Sequence, residues 1–272
     1  MLERITFATD FSEANMKVME YIPQLKNVGV EEVIVVRVIN LNRIVGVAGG
    51  VNVDEYVEEC RREAEVKLAE VVSKIEEMGL RAKPFLPIPA GDPVVEIIKA
   101  AKESGSKMIL MGSRGRGLIK EILLGSVSEG VVRKSDLPVY VIKHGTNVKN
   151  LFERIIYAHD LKEHSELAMK YVRHIAEKVS AEVVLVHVVE KGEKLAKEKL
   201  KEIEDELVGL NFRTIVREGT PHKEILKVCE EVGATSIFIG GGIPETISEK
   251  LLGSTADAIL RYSKVPVFVA KS

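Results

Sequence analysis

Within its 272 residues the chain repeats itself once, and that repeat constrains the fold more than any other feature. Gly125-Ser126-Val127-Ser128, followed by Leu137-Pro138-Val139-Tyr140-Val141, aligns with Gly253-Ser254-Thr255-Ala256, followed by Val265-Pro266-Val267-Phe268-Val269. The offset is 253 − 125 = 128, and Gly91 and Gly219 keep it. Nearer the N-terminus, Ala8-Thr9-Asp10 pairs with Ala158-His159-Asp160, and Val36-Arg37-Val38-Ile39 with Val186-His187-Val188-Val189, at an offset of 158 − 8 = 150. The first half therefore carries 150 − 128 = 22 extra residues between Val38 and Gly91. A tandem duplication with a polar linker near His144–Asn150 gives two domains, 1–146 and 150–272.

Each half alternates strand and helix patterns. In the first, Ile5–Thr9, Val33–Ile39, Lys83–Ile88, Met108–Gly112 and Val139–Ile142 are short, β-rich and mostly continuously apolar, as strands covered on both faces are. Val57, Cys60, Ala64, Leu68, Val71, Ile75 and Met78 step by three or four and predict one helix, and Ala196, Leu200, Ile203 and Leu207 predict another. Asp92-Pro93 reads as an N-cap with proline in the first turn, and Gly105 as a C-terminal cap. The expected fold is α/β: two tandem open five-stranded parallel-sheet domains with helices on both faces, joined by right-handed crossovers. Such sheets bind ligands at the carboxyl ends of their strands. Lys plus Arg is 39 against 41 Asp plus Glu, so a nucleic-acid partner is not expected. Two distant cysteines, Cys60 and Cys229, argue against a disulfide scaffold or zinc ribbon and for a reducing compartment. No apolar run approaches a membrane span and no signal-peptide core precedes Asp10, so a cytoplasmic protein without membrane contact is expected.

Met111-Gly112-Ser113-Arg114-Gly115-Arg116-Gly117 follows the fourth strand pattern, and nine residues separate Gly115 from Gly125-Ser126, giving G-x2-G-x9-G-S. Gly112 and Gly115 permit turns and close approach that a Cβ would block. Gly125-Ser126 opens a helix, whose free amides and positive dipole end favour an anion. Ser126 and Ser128 add hydroxyls, and Arg114, Arg116 and Lys120 add charge. GxxxxGK[ST] is absent, and GxGxxG fails because Lys120 stands where its last glycine belongs.

That spacing, with Asp10 at the first strand end and Pro138-Val139 opening the last strand, resembles the universal stress protein family, twice over and across nearly the whole chain. The resemblance implies the adenine-nucleotide-hydrolase-like fold and an adenine nucleotide (AMP, ADP or ATP, with or without Mg2+) as ligand. By position it implies that Asp10, beside Ala8 and Thr9, meets the nucleoside and that the Val38 backbone reads the adenine edge. Gly112, Arg114, Gly115, Gly125, Ser126, Val127 and Ser128 would hold ribose and phosphates. In the second half the matching residues are Ala158, His159, Asp160, Val188, Gly240, Gly253, Ser254 and Thr255. That half departs at Ile243, where the second glycine should stand and a β-branched residue resists positive φ. Charge differs as well. Residues 112–126 carry three cations against Glu121, for +2, whereas 240–254 carry Lys250 against Glu245 and Glu249, for −1. The first half is therefore the one expected to prefer a polyphosphate.

No nucleophile pair, positioned base or carboxylate cluster is visible in the sequence, so a nucleotide-binding stress or signalling protein is expected rather than an enzyme. Slow ATP hydrolysis and a nucleotide-free interaction module are the alternatives. His159 reads as a packing or stacking residue, His187 as a core or edge histidine, His222 as solvated, and both cysteines as buried thiols. Ile44–Val53 is ten residues without a charge, either packed on its own domain or a flap that meets a partner. The family resemblance also implies that the last strands, Val139–Ile142 and Val267–Ala270, pair as an internal pseudo-dimer of the two halves. A homodimer of whole chains is possible beyond that.

Overall fold

Runs of valine and isoleucine set the strands. In the computed structural model, which describes residues 1–44, 53–113, 124–190, 195–241 and 252–271, Glu32–Val36 is buried along its whole length, as a strand between two helical layers must be. The first half runs β1 (Arg4–Ala8), α1 (Glu13–Met16), a 3-10 turn (Lys17–Tyr21), α2 (Ile22–Asn27), β2 (Glu32–Val36), β3 (Ile39–Asn40), α3 (Leu41–Ile44), α4 (Val53–Glu77), β4 (Arg81–Pro84), β5 (Ala90–Gly91), α5 (Pro93–Glu103), β6 (Ile109–Gly112), α6 (Ser126–Lys134) and β7 (Val139–Ile142). The second runs β8 (Arg154–Ala158), α7 (Glu163–Glu166), α8 (Met169–Val179), β9 (Glu182–Val189), α9 (Lys197–Glu206), β10 (Phe212–Glu218), α10 (Pro221–Val232), β11 (Ser236–Gly240), α11 (Ser254–Tyr262) and β12 (Val267–Ala270). The chain divides into two compact units, Met1–Ile119 with Gly125–Ser135, and Lys120–Leu124 with Asp136–Ser272.

In the first unit the strands lie in the order β6-β1-β2-β4, all parallel. The chain steps outward from β1 through β2 to β4, then returns to β6 on the other side of β1. Open α/β sheets bind ligands at such a reversal, outside the carboxyl ends of the flanking strands, here β1 and β6. The second unit repeats the plan as β10-β9-β8-β11-β12, with its reversal between β8 and β11. β7 is the exception to the parallel rule. It pairs antiparallel with β12, Phe268 facing Tyr140, Val267 facing Val141 and Val269 facing Val139. At the repeat offset of 128, Tyr140 and Phe268 are each other's counterparts, so the register is symmetric about that pair.

The caps follow the expected chemistry. Asp92 Oδ1 accepts from the Val94 N–H at 2.8 Å, and Gly105 takes φ +67° beyond α5. The α4 stripe is buried at Val57, Ala64, Leu68, Val71 and Ile75, with Cys60 half-exposed and Cys229 buried. The strand predicted over Lys83–Ile88 ends instead at Pro84, and Ala90–Gly91 pairs separately with Ile39–Asn40. Pro84, Pro87 and Pro89 have no N–H to give a ladder. The equivalent stretch of the second half has no proline and forms the seven-residue β10. No helix among the described residues is long and apolar enough to cross a membrane.

Candidate functional site

At the reversal point of the first unit a turn follows β1. The Thr9 N–H donates to Val36 O at 2.9 Å and ties the end of β1 to β2. The next two amides fold back onto the preceding side chains: Phe11 N–H donates to Thr9 Oγ1 at 3.1 Å, and Ser12 N–H to Asp10 Oδ1 at 3.0 Å. Ser12 Oγ donates to the same carboxylate oxygen at 2.6 Å. This winding forces Phe11 to φ +58°, a left-handed conformation that costs a non-glycine residue about 1–2 kcal/mol. Strain of this kind persists where surrounding structure imposes it, and it concentrates at binding sites. The Arg37 guanidinium lies 5.5 Å from the Phe11 ring centroid. Ala8, Thr9 and Val38 are buried beside the turn, and Asp10 is half-buried.

α6 begins at the end of β6, the strand next to β1. The Gly125 N–H donates to Ser113 O at 2.8 Å, and Ser128, buried, donates its hydroxyl to Gly112 O at 2.8 Å. Ser128 thus locks the helix start to the end of β6, and its proton is committed to the protein. Gly125 is the N-cap, and among the described residues no side-chain cap bond is made at the first turn. This differs from α5, where Asp92 makes one. An uncapped first turn carries free amides and about half a positive charge from the helix dipole, an arrangement suited to an anion. Ser126 is exposed and Val127 half-buried at this terminus. Arg114 and Gly115 lie outside the described residues, as do Lys120, Ile243 and nearly all of the apolar segment 44–53.

The second unit copies the turn with different side chains. Leu161 N–H donates to His159 Nδ1 at 2.8 Å, Lys162 N–H to Asp160 Oδ1 at 3.1 Å, and Leu161 takes φ +60°. Ser165 Oγ donates to Asp160 Oδ1 at 2.7 Å, and His164 Nε2 lies 3.1 Å from Asp160 Oδ2. Partial burial works to raise the Asp160 carboxyl, but the bonds from His164, Ser165 and the Lys162 amide prevail and hold it below the usual carboxylate range. His159 is buried, and desolvation pushes its ring down to about 4 against the opposing pull of Asp160. The His187 Nδ1 lies 2.9 Å from His159 O.

Gly240 ends β11 as Gly112 ends β6. A Cβ on Gly240 would stand 2.1 Å from His164 O and 2.7 Å from Ser165 Cα. The backbone of α7 therefore explains this glycine without any ligand. Gly253 caps α11 and, like Gly125, has no side-chain cap. Ser254 is exposed, Thr255 half-buried, and Ala256 replaces the locking Ser128. Ala158 is buried, and Val188 is half-buried near the end of β9.

The structure thus brings Ala8, Thr9, Asp10 and Val38 together at the ends of β1 and β2, and sets Gly112 against Gly125–Ser128 beside them. Residues absent from the sequence prediction also belong here: Phe11, Arg37, Ser165, His164 and Asn15. Asn15 is buried, and its Oδ1 has no hydrogen-bond partner among the described residues. The 150-residue offset, which pairs Asn15 with Ser165 and Phe11 with Leu161, is the signal that could have found them.

A model of the family described as "Universal stress protein family" matches residues 1–143 and again 151–271. The chain is similar over its whole length to the crystal structure of a universal stress protein from Archaeoglobus fulgidus, with 41% identity, TM-score 0.85, and 100% of this chain and 99% of that one covered. It is 36% identical over 157 residues to universal stress protein MJ0577 of Methanocaldococcus jannaschii, covering 53% of this chain and 96% of that protein. The fold is shared with protein PA1789 of Pseudomonas aeruginosa at 13% identity and TM-score 0.66, covering 99% and 92% of the two chains.

Proposed function

This chain belongs to the universal stress protein family, and from that premise we propose that it binds adenine nucleotides as a stress or signalling protein. The observation that carries the reading is the start of α6, clamped to the end of β6 by the Ser128 and Gly125 bonds, with β6 the direct neighbour of the strand that ends in the strained Asp10 turn. The amides of that helix suit the phosphates, with Arg114 and Gly115 of the preceding sequence as further candidates. Asp10, Ala8, Thr9 and Val38 suit the nucleoside. Mg2+ would accompany the phosphates of ATP. We take the two functional units as residues 1–146 and 150–272.

The halves differ in strength. The first has a sequence of charge +2 over 112–126, Arg37 at the turn after β1 and the Ser128 clamp. The second has Ile243, a sequence of charge −1 over 240–254, and Ala256. The first half therefore takes the polyphosphate, and the second, through Val188, Gly253, Ser254 and Thr255, binds more weakly or takes fewer phosphates. Calorimetric titration of ATP and AMP into Gly115→Val and Ser254→Ala variants tests this. ATP affinity should fall mainly in the first variant, and equal losses from both would refute the asymmetry. Protein that neither releases nucleotide on denaturation nor binds any afterwards would refute the ligand and leave an interaction module. Metal-dependent ADP release well above background, lost in Gly125→Val, would replace binding by hydrolysis.

The symmetric β7–β12 register supports an internal pseudo-dimer. The two unpaired cysteines support a reducing, cytoplasmic setting. Sedimentation at high concentration tests a further homodimer through the 44–53 segment, and a 30.1 kDa species alone would exclude it.

A further inference from the structure

The duplicated turn is built from an untitratable residue in one half and a titratable one in the other. Thr9 Oγ1 and His159 Nδ1 occupy counterpart positions and accept the counterpart amides of Phe11 and Leu161. A ring nitrogen that accepts an N–H carries no proton, so His159 holds its proton on Nε2. Nε2 is buried and has no partner among the described residues. The ring lies at the carboxyl end of β8, beside Asp160 and edge-on to Tyr157, with centroids 5.3 Å apart. A buried donor left without an acceptor is costly, and at the reversal point of a sheet the acceptor that relieves it can come from a ligand.

We infer that the second half holds its ligand only with His159 neutral: Nδ1 latches the turn that carries Asp160, and Nε2–H donates to an oxygen or ring-nitrogen acceptor on the nucleoside part of a nucleotide. This rests on the nucleotide reading and deepens it. Protonation would place a second N–H on Nδ1, facing the Leu161 amide, and two donors cannot share that position. The turn then opens and Asp160 loses its place. The charged and titratable groups around the ring are Asp160 on its own turn, Tyr157 on β8, His164 on α7 and His187 on β9. Asp160 favours the protonated ring, while the two histidines and the burial oppose it. Thr9 has no such state, so acid should empty the second half and spare the first.

The test uses the full chain, 15N-labelled, with AMP and ATP as probes and wild type compared with His159→Thr. Nitrogen-detected NMR should find His159 as the Nε2–H tautomer, and its Nε2–H signal should move when the second half saturates. In the Gly125→Val background, which isolates the second half, AMP affinity should fall about tenfold per pH unit below the midpoint of the ring. His159→Thr should remove that dependence, keep first-half ATP binding, and weaken second-half binding several-fold. A ring found as Nδ1–H, or an Nε2–H signal indifferent to saturation, overturns the inference while leaving nucleotide binding intact. Absence of AMP and ATP binding in either half at every pH overturns the nucleotide reading and the ligand contact with it. In that event the tautomer and the response of the Leu161 amide to acid decide the latch alone.

Discussion

Substituting Gly240 by alanine should damage the second unit well beyond what one methyl group suggests. The new Cβ would lie 2.1 Å from His164 O, 2.8 Å from His164 C and 2.7 Å from Ser165 Cα, where ordinary contact begins at 3.4 Å. Relief requires a shift of about 3.4 − 2.1 = 1.3 Å, and all three opposing atoms are backbone, so no rotamer change supplies it. α7 must move, and it carries the Ser165 hydroxyl that sits 2.7 Å from Asp160 and the Ser165 carbonyl that accepts from Tyr157 at 3.1 Å. Overpacking costs about 1–3 kcal/mol and loss of a hydrogen bond to a charged group about 1.5–3 kcal/mol. The expected destabilisation is therefore about 3 kcal/mol or more, a Tm loss of about 6–12 °C for a unit of this size. Urea titration measures it, and amide shifts at His164 and Ser165 localise it. Gly253→Ser is the control, because a Cβ there meets nothing within 4 Å and serine is a favourable N-cap. A Gly240→Ala loss below about 0.5 kcal/mol with unmoved α7 amides would refute the packing argument.

Acid should weaken the fold through His159. The unfolded ring takes a proton below about 6.5, while the folded ring stays neutral down to about 4. The unfolded chain therefore binds the extra proton in between, and stability falls as pH drops through that window, by up to about 3 kcal/mol. Urea midpoints from pH 7 to 4 should show this slope, and His159→Thr should lack that share of it. Asp92→Ala removes the α5 cap and should cost about 1 kcal/mol, read as a lower urea midpoint at unchanged m. A neutral result would mean that water satisfies the Val94 amide equally well.

The repeat, the strand–helix alternation and the helix stripes were legible because burial on one face leaves a period in the sequence. The α5 cap was legible because aspartate before proline has few other uses. The third strand was not: its apolar composition hides Pro84 and Pro87, with Pro89 just beyond, whose missing N–H groups end the ladder, a backbone effect that hydropathy does not carry. Within the candidate site, the glycine spacing pointed to Gly112 and Gly125 and the family resemblance to Asp10, and the structure places them at the end of β6, the start of α6 and the end of β1. The direction of a hydroxyl was not legible, and Ser128, expected to face a ligand, donates inward to Gly112. Gly240 shows the same limit from the other side. The pattern marks a glycine, but only three dimensions reveal that α7 is what needs the space.

The Tyr140–Phe268 pairing has a consequence for what joining two copies in one chain permits. Two separate identical subunits meeting at such a strand pair would place the same residue on either side of the axis. Fusion removes that obligation. Tyr140 meets the Ser236 hydroxyl at 2.7 Å, while the counterparts of those two residues, Phe268 and Met108, carry no hydroxyl at all. The hydroxyl pair therefore has no counterpart at the repeat offset, an asymmetry that two identical subunits could not carry.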